Sequence, residues 1–585
     1  MRYGKKSTLV LLAAILLMGM IPAALAQKRV IELPRQMSPR WKAYFEQVDF
    51  DGDSVPYIYD KYLGRDDASV DFARKQGGIL RLMGADIRTL DPIMVVDVAS
   101  HQIVGKIFEP LAQMVPAATE VMPCLAKAWE ISDDGLVYTF YLREGVRFHN
   151  GELFTADDVI YSFHRLMDPS HASKRISFVT DYMEAIDKVD DHTVRIHLRF
   201  PFMPFLSLMT YSCFHIMPQD YTSANEHFED GRWVKEWVEK PIGTGPFKFR
   251  AYESGDYWEL EANEDYWAGR PYLDGIWLKV CEETATVVQA FKAGQINVVG
   301  VPAEYWEEFT TTSAYKEHLI TRTELATYYY VLNCKKWPFE NKLIRQAVAC
   351  AMDREGVLQT IFKGRYLPAH GPLPPGCFGF SQQLYDLYAY SYNPLKARAL
   401  LDKAGAIDTD GDGIREYQGK PLKFELSAYI GPTWRGGAKS FKANLKEVGI
   451  EIRYQEYEFA TITMMGEDGN FVMLSLGWIM DFPDPENFYI LWETKSIPDP
   501  NYSRYSNPEA DALIGGLRSE LNPQVRKELC YNIERIIQED HPNIWFFHSR
   551  GTACVQPYLH DYDWGDMGSH IEKLLGVYLE AGHRG

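Results

Sequence analysis

The nine residues from Asp408 carry the most explicit chemistry in this sequence. Asp408-Thr-Asp410-Gly-Asp412-Gly413-Ile414-Arg-Glu416 sets oxygens at positions 1, 3 and 5, a turn glycine at 6 and a carboxylate at 9. That is the order in which an EF-hand loop presents ligands to calcium. Position 12, where such a loop needs a bidentate Glu, is Gly419. The same residues also suit a connector built of Asx turns, between a helix ending at Gly405 and a strand near Leu422. Asp49-Phe-Asp51-Gly-Asp53 is a shorter version of the pattern. Signatures of catalysis are missing: there is no GxSxG, HExxH, GxxxxGK[ST] or GxGxxG. The 15 His are scattered without i,i+4 ligand spacing. The eight Cys (124, 213, 281, 334, 350, 377, 530 and 554) form no CxxC, and spacing leaves their pairing open. Several suit small buried hydrophobes. No catalytic residue, resident metal or cofactor is assigned, and the expectation is binding rather than catalysis.

The elements that must position any site read as mixed α/β. Val137–Arg143, Thr193–Arg199 and Ile450–Tyr454 alternate like half-buried strands. Thr155 followed by Asp158 resembles a capping box opening a helix with Val159, Phe163 and Leu166 on one face. Asn393-Pro394, Asn507-Pro508 and Asn522-Pro523 each predict a helix start, since Asn caps the orphan amides and Pro fits the first turn. No strict βαβ rhythm appears, so the sheets should be mixed.

The first 26 residues predict a cleaved export leader. Arg2, Lys5 and Lys6 precede an apolar run from Leu9 to Ile21, and Ala24-Leu25-Ala26 offers small residues before Gln27. The run is short for a bilayer span, which needs about 20 apolar residues. Residues 27–76 are polar and irregular, an extension outside the main body. With 585 residues the chain exceeds one hydrophobic core. Its net charge of −19 argues against a nucleic-acid partner. The 14 Trp, 36 Tyr and 30 Phe suit a chain with a large ligand cleft.

Residues 121–165 are specific. Val121-Met-Pro-Cys-Leu-Ala-Lys-Ala-Trp129 leads through Asp133-Asp-Gly135, Arg143-Glu-Gly145, Phe148-His-Asn-Gly151 and Thr155-Ala-Asp157-Asp158 to Phe163. The segment resembles the signature of family 5 extracellular solute-binding proteins, the dipeptide, oligopeptide and nickel-binding components of ABC importers. Pro241-Ile-Gly243-Thr-Gly245-Pro246, Tyr328–Asn333 with Arg345–Arg354, and Gly477-Trp478-Ile-Met-Asp481-Phe-Pro483-Asp484-Pro485 match further family segments in order. The resemblance runs from about residue 77 to 560.

The resemblance implies a two-lobed periplasmic binding protein (type II, cluster C-like) with a hinge. Lobe 1 would take 77–325, with an inserted subdomain at about 116–240, and return at 543–585. Lobe 2 would take 326–542. It also implies a monomer that captures a peptide between the lobes and delivers it to an inner-membrane ABC permease. The alternative is the same fold binding an oligosaccharide, an opine-like compound or a metal chelate. Asp481 would hold the ligand's α-ammonium, Trp478 would line the cleft, and Arg435 would meet a peptide carboxylate. Gly135, Gly145 and Gly151 should make tight turns, with Trp129 in the core.

Overall fold

The computed structural model describes residues 75–114, 121–387, 392–562 and 574–583. The expected leader and nearly all of the extension at 27–76 lie outside them, as does the Asp49–Asp53 pattern. Among the described residues no helix is long and apolar enough to cross a membrane.

Three sheets organise the chain. In the first, Ile79–Gly84 pairs in parallel with Gly275–Val280, which continues antiparallel to Tyr257–Ala262 and Phe247–Glu253. Phe108, Phe247, Trp258, Leu260 and Ile276 fill the core against it. The second is a four-stranded antiparallel sheet: Ala126–Ile131, Val137–Leu142, Thr193–Leu198 and Met183–Asp190. Helix Ala156–Met167 packs on it through Val159, Phe163 and Leu166, and Asp158 accepts the Thr155 N–H as the capping box predicts. Gly135, Gly145 and Gly151 take φ values of 72, 76 and 91°, the turn conformations read from the sequence. Trp129 is half-buried against this core rather than inside it.

The third sheet has seven strands. Its backbone is a pair of long antiparallel strands, Leu319–Leu332 and Asn543–Val555. Met473–Ile479 adds to the first of these, then Lys423–Tyr429 and Glu451–Tyr457 follow in parallel. Side chains alternate across a strand, so Tyr330 and Leu332 face one core while Tyr329 and Val331 face another. The long pair is interrupted: its register shifts between Thr323 and Thr327. The three Asn-Pro helices form as predicted, Pro394–Ala404, Pro508–Ser519 and Pro523–Asp540, each with the Asn side chain accepting from first-turn amides.

The bodies on these sheets are pinned together near the helix Val98–Ile107. Its end is overlaid by the turn at Gly243–Gly245, where a Cβ on Gly245 would lie 2.3 Å from the Lys106 carbonyl oxygen. Only glycine permits that approach. None of the eight cysteines is joined in a disulfide among the described residues.

Candidate ligand-binding site

Asp481 is set by a strand and a braced turn. Met473–Ile479 runs beside Leu319–Leu332 with Gly477 opposite Tyr328. A Cβ on Gly477 would stand 2.5 Å from the Tyr328 ring, so the glycine fixes how closely the strands pack. Beyond the strand, the Met480 N–H donates to the Leu325 carbonyl at 2.9 Å. The Asp481 N–H donates to Asn487 Oδ1 at 3.1 Å, and the same oxygen accepts Trp478 Nε1–H at 2.8 Å. Asn487 is buried, and one amide therefore orders both residues. The following turn is staked by buried ion pairs. Both Asp484 oxygens accept from Arg526 at 2.9 and 2.8 Å, and Arg518 donates to Glu486 and Glu493 at 2.7 Å. Phe482 enters the core of the antiparallel-sheet body, 6.5 Å edge-on from Phe178.

A cavity of about 130 Å³ opens where three parts of the chain meet. Asp97 and His101 come from the start of helix Val98–Ile107. Arg175, Tyr211 and Ser212 come from the antiparallel-sheet body, and Ile479 to Asp481 from the seven-stranded one. Arg175 stands 3.6 Å from Asp481 Oδ1. Its Nη2–H donates to the Tyr211 hydroxyl at 2.8 Å, and the rings of Phe178 and Tyr211 lie 5.1 and 4.9 Å from its charge. Burial pushes the Asp481 carboxyl above the usual carboxylate range, with Arg175 and Asn487 pulling it back. The carboxylate is thus incompletely compensated, and a second positive group beside it would be favourable.

The structure brings Asp481 to the cavity wall. It sets Trp478 one step behind, half-buried against a core, its indole bonded to Asn487 and absent from the lining. Arg435 is exposed, bonded in a fork to Glu456 at 2.9 and 2.8 Å, and is also absent from the lining. Arg175, Tyr211 and Asn487 were not legible in the sequence. Arg175 follows Lys174 in a polar loop with no pattern to single it out. In the Asp408–Glu416 loop, Asp408 accepts the Gly411 and Gly413 amides and Glu416 accepts the Thr409 amide. Oxygens of Asp408, Asp410 and Glu416 lie within 4.8 Å of one another, the two Asp exposed and Glu416 half-buried, engaged in these turns.

The architecture is that of a two-lobed solute-binding protein, and the comparisons are specific. The model of the bacterial extracellular solute-binding proteins, family 5, matches residues 120–498. Heme-binding protein A of Haemophilus influenzae is 29% identical, over 84% of this chain and 90% of the relative. Di/tripeptide-binding protein 2 of Pseudomonas aeruginosa is 30% identical over 76% of this chain and 84% of that protein. The periplasmic binding protein DppA of Helicobacter pylori, solved with the peptide STSA, superposes with a TM-score of 0.69 at 28% identity, covering 88% of this chain and 100% of that one. The chain belongs to family 5 of the bacterial extracellular solute-binding proteins, a family of transport binding proteins rather than enzymes.

Proposed function

We propose that this protein is the periplasmic peptide-binding component of an ABC importer, exported by a leader at 1–26 and handing its ligand to an inner-membrane permease as a monomer. The observation that carries the reading is Asp481: a partly buried, incompletely compensated carboxylate on the wall of an interlobe cavity. A peptide's α-ammonium must be desolvated to enter a closed cleft, and an opposite charge there offsets that cost. Relatives named for di- and tripeptides, and one solved with a tetrapeptide, support peptides as the solute class. In this reading lobe 1 takes 77–325 and 543–585, lobe 2 takes 326–542, and the register break at 323–327 is the hinge. Asn487 accepts from both Trp478 and Asp481 and so sets Trp478 beside the anchor. A second reading, a metal chelate, has His101 and His215 in the cavity wall behind it. Native mass spectrometry of the mature protein purified from its own periplasm tests both. Co-purified peptide masses are expected; recovery of only metal chelates or sugars would contradict the peptide reading.

A further inference from the structure

We propose that Cys377 and Cys530 are a modification site: the two thiols oxidise to a disulfide that staples the segment His370–Gly379 to the helix Pro523–Asp540. The inference rests on the export reading above, since disulfides form and persist in oxidising compartments. It does not depend on the ligand. Spacing leaves the pairing of the eight cysteines open, and the fold narrows it to this pair.

Residues four apart share one face of a helix. On this helix Arg526, Cys530, Glu534 and Gln538 make such a row, and all four are buried. The segment His370–Gly379 runs antiparallel along the row. Gln538 Nε2–H donates to the His370 carbonyl. The Leu373 amide donates to Glu534 at 3.4 Å. The Arg526 guanidinium lies 5.3 Å from the centre of the Phe378 ring. Cys530 is the step between Glu534 and Arg526, and the backbone closes directly on it. A Cβ on Gly379 would stand 2.6 Å from Cys530 Sγ, and the glycine has a φ of 81°. Cys377 begins the turn that delivers Gly379: the Phe380 N–H donates to the Cys377 carbonyl at 3.1 Å. Its side chain is buried in the same core as Cys530, whereas Cys213 and Cys350 lie in two other cores. The register therefore sets Cys377 opposite Cys530. Burial pushes the Cys377 thiol well above the usual thiol range, and Cys530 beside it is the next cause.

Oxidation breaks two S–H bonds and forms one S–S bond. The two protons and two electrons pass to the disulfide of an oxidising thiol–disulfide oxidoreductase, which leaves as its dithiol. The attacking species is a thiolate, which a buried thiol of raised pKa scarcely supplies. The exchange therefore belongs to folding, before the segment covers the helix. The finished staple would hold Phe378 over Arg526, whose fork fixes Asp484 in the turn after Asp481.

Peptide mapping tests this on two preparations made without reductant. One is the chain recovered from its own cells; the other is the mature chain refolded from denaturant in a glutathione redox buffer. Blocking with iodoacetamide in denaturant and digestion with trypsin leave the two cysteines on peptides 366–396 and 528–535, neither of which holds another cysteine. Mass spectrometry should recover these two peptides joined in both preparations, and separate after reduction. The refolded protein should melt several degrees above the same protein refolded under dithiothreitol, and Cys377→Ala should lose that difference. Alkylation of both thiols in the refolded protein, or either one joined to a different cysteine, would overturn the inference whatever the compartment. Joined peptides on refolding, with free thiols in a cellular chain that keeps its leader, would contradict the export reading and the bond in the cell with it. Neither result bears on whether the ligand is a peptide.

Discussion

Asn487 holds more of the site than its modest side chain suggests. Its Oδ1 accepts from the Trp478 indole and from the Asp481 backbone amide. Asn487→Ala leaves both donors without that partner, and an unsatisfied buried donor costs about 1–3 kcal/mol. A fall of that size in urea-unfolding free energy is expected, together with weaker peptide binding as the Asp481 loop loosens. Asn487→Asp, similar in shape, should keep stability closer to wild type. Trp478→Ala separates orientation from packing: the ring is only half-buried, so its stability cost should fall below the roughly 3–5 kcal/mol of a fully buried Trp. Asp484 is a different case from Asp481, three residues earlier. Arg526 takes both of its oxygens, so Asp484→Asn should act on folding and leave amine preference unchanged.

The helix Pro523–Asp540 illustrates what a sequence discloses about an element and what it withholds. Asn522-Pro523 announces its start because capping is local chemistry, and the same logic located Pro394–Ala404 and Pro508–Ser519. Strand alternation likewise located Val137–Leu142 and Thr193–Leu198. Long-range partners are another matter. Nothing near Arg175 in sequence points to Asp481, 306 positions on, and no local pattern pairs Arg518 with Glu486 and Glu493. Asp481 stands out in the sequence only through the family segment around it. Inside Pro523–Asp540, Glu534 is buried with one long bond, from the Leu373 amide at 3.4 Å, and burial pushes its carboxyl up to about 8. Unfolding returns it to the ordinary Glu range near 4.5. The native state therefore binds the proton more tightly, and the stability this brings is full below about pH 4.5 and is lost as pH rises towards 8. Glu534→Gln should remove that slope. Its melting temperature should exceed wild type at pH 8 to 9 and converge with it near pH 5. A constant difference across that range would contradict a neutral Glu534.

Across the whole molecule, the proposed division into lobes makes the long strands Leu319–Leu332 and Asn543–Val555 the crossing between them, with the register break between Thr323 and Thr327 as the proposed hinge. Contacts across the proposed cleft include Arg175 with Asp481, Phe482 in the opposite core, and the Met203 amide bonded to the Arg518 carbonyl at 2.7 Å. A ligand that joins both walls should add to these. Binding only the native state stabilises by about 2.7 kcal/mol at a hundredfold excess over Kd, so a thermal-shift panel of di- to pentapeptides should show clear increases in Tm for the shorter members. The central claim is that Asp481 holds a peptide's amino terminus. Calorimetric titration of wild type and Asp481→Asn with the best peptide and its N-acetylated form tests it most directly. Leaving a buried ammonium without its counter-charge costs about 3–5 kcal/mol, so wild type should bind the free peptide at least a hundredfold tighter than the acetylated one. Asp481→Asn should lose most of that preference. Equal affinity of wild type for the free and acetylated peptides would contradict the account.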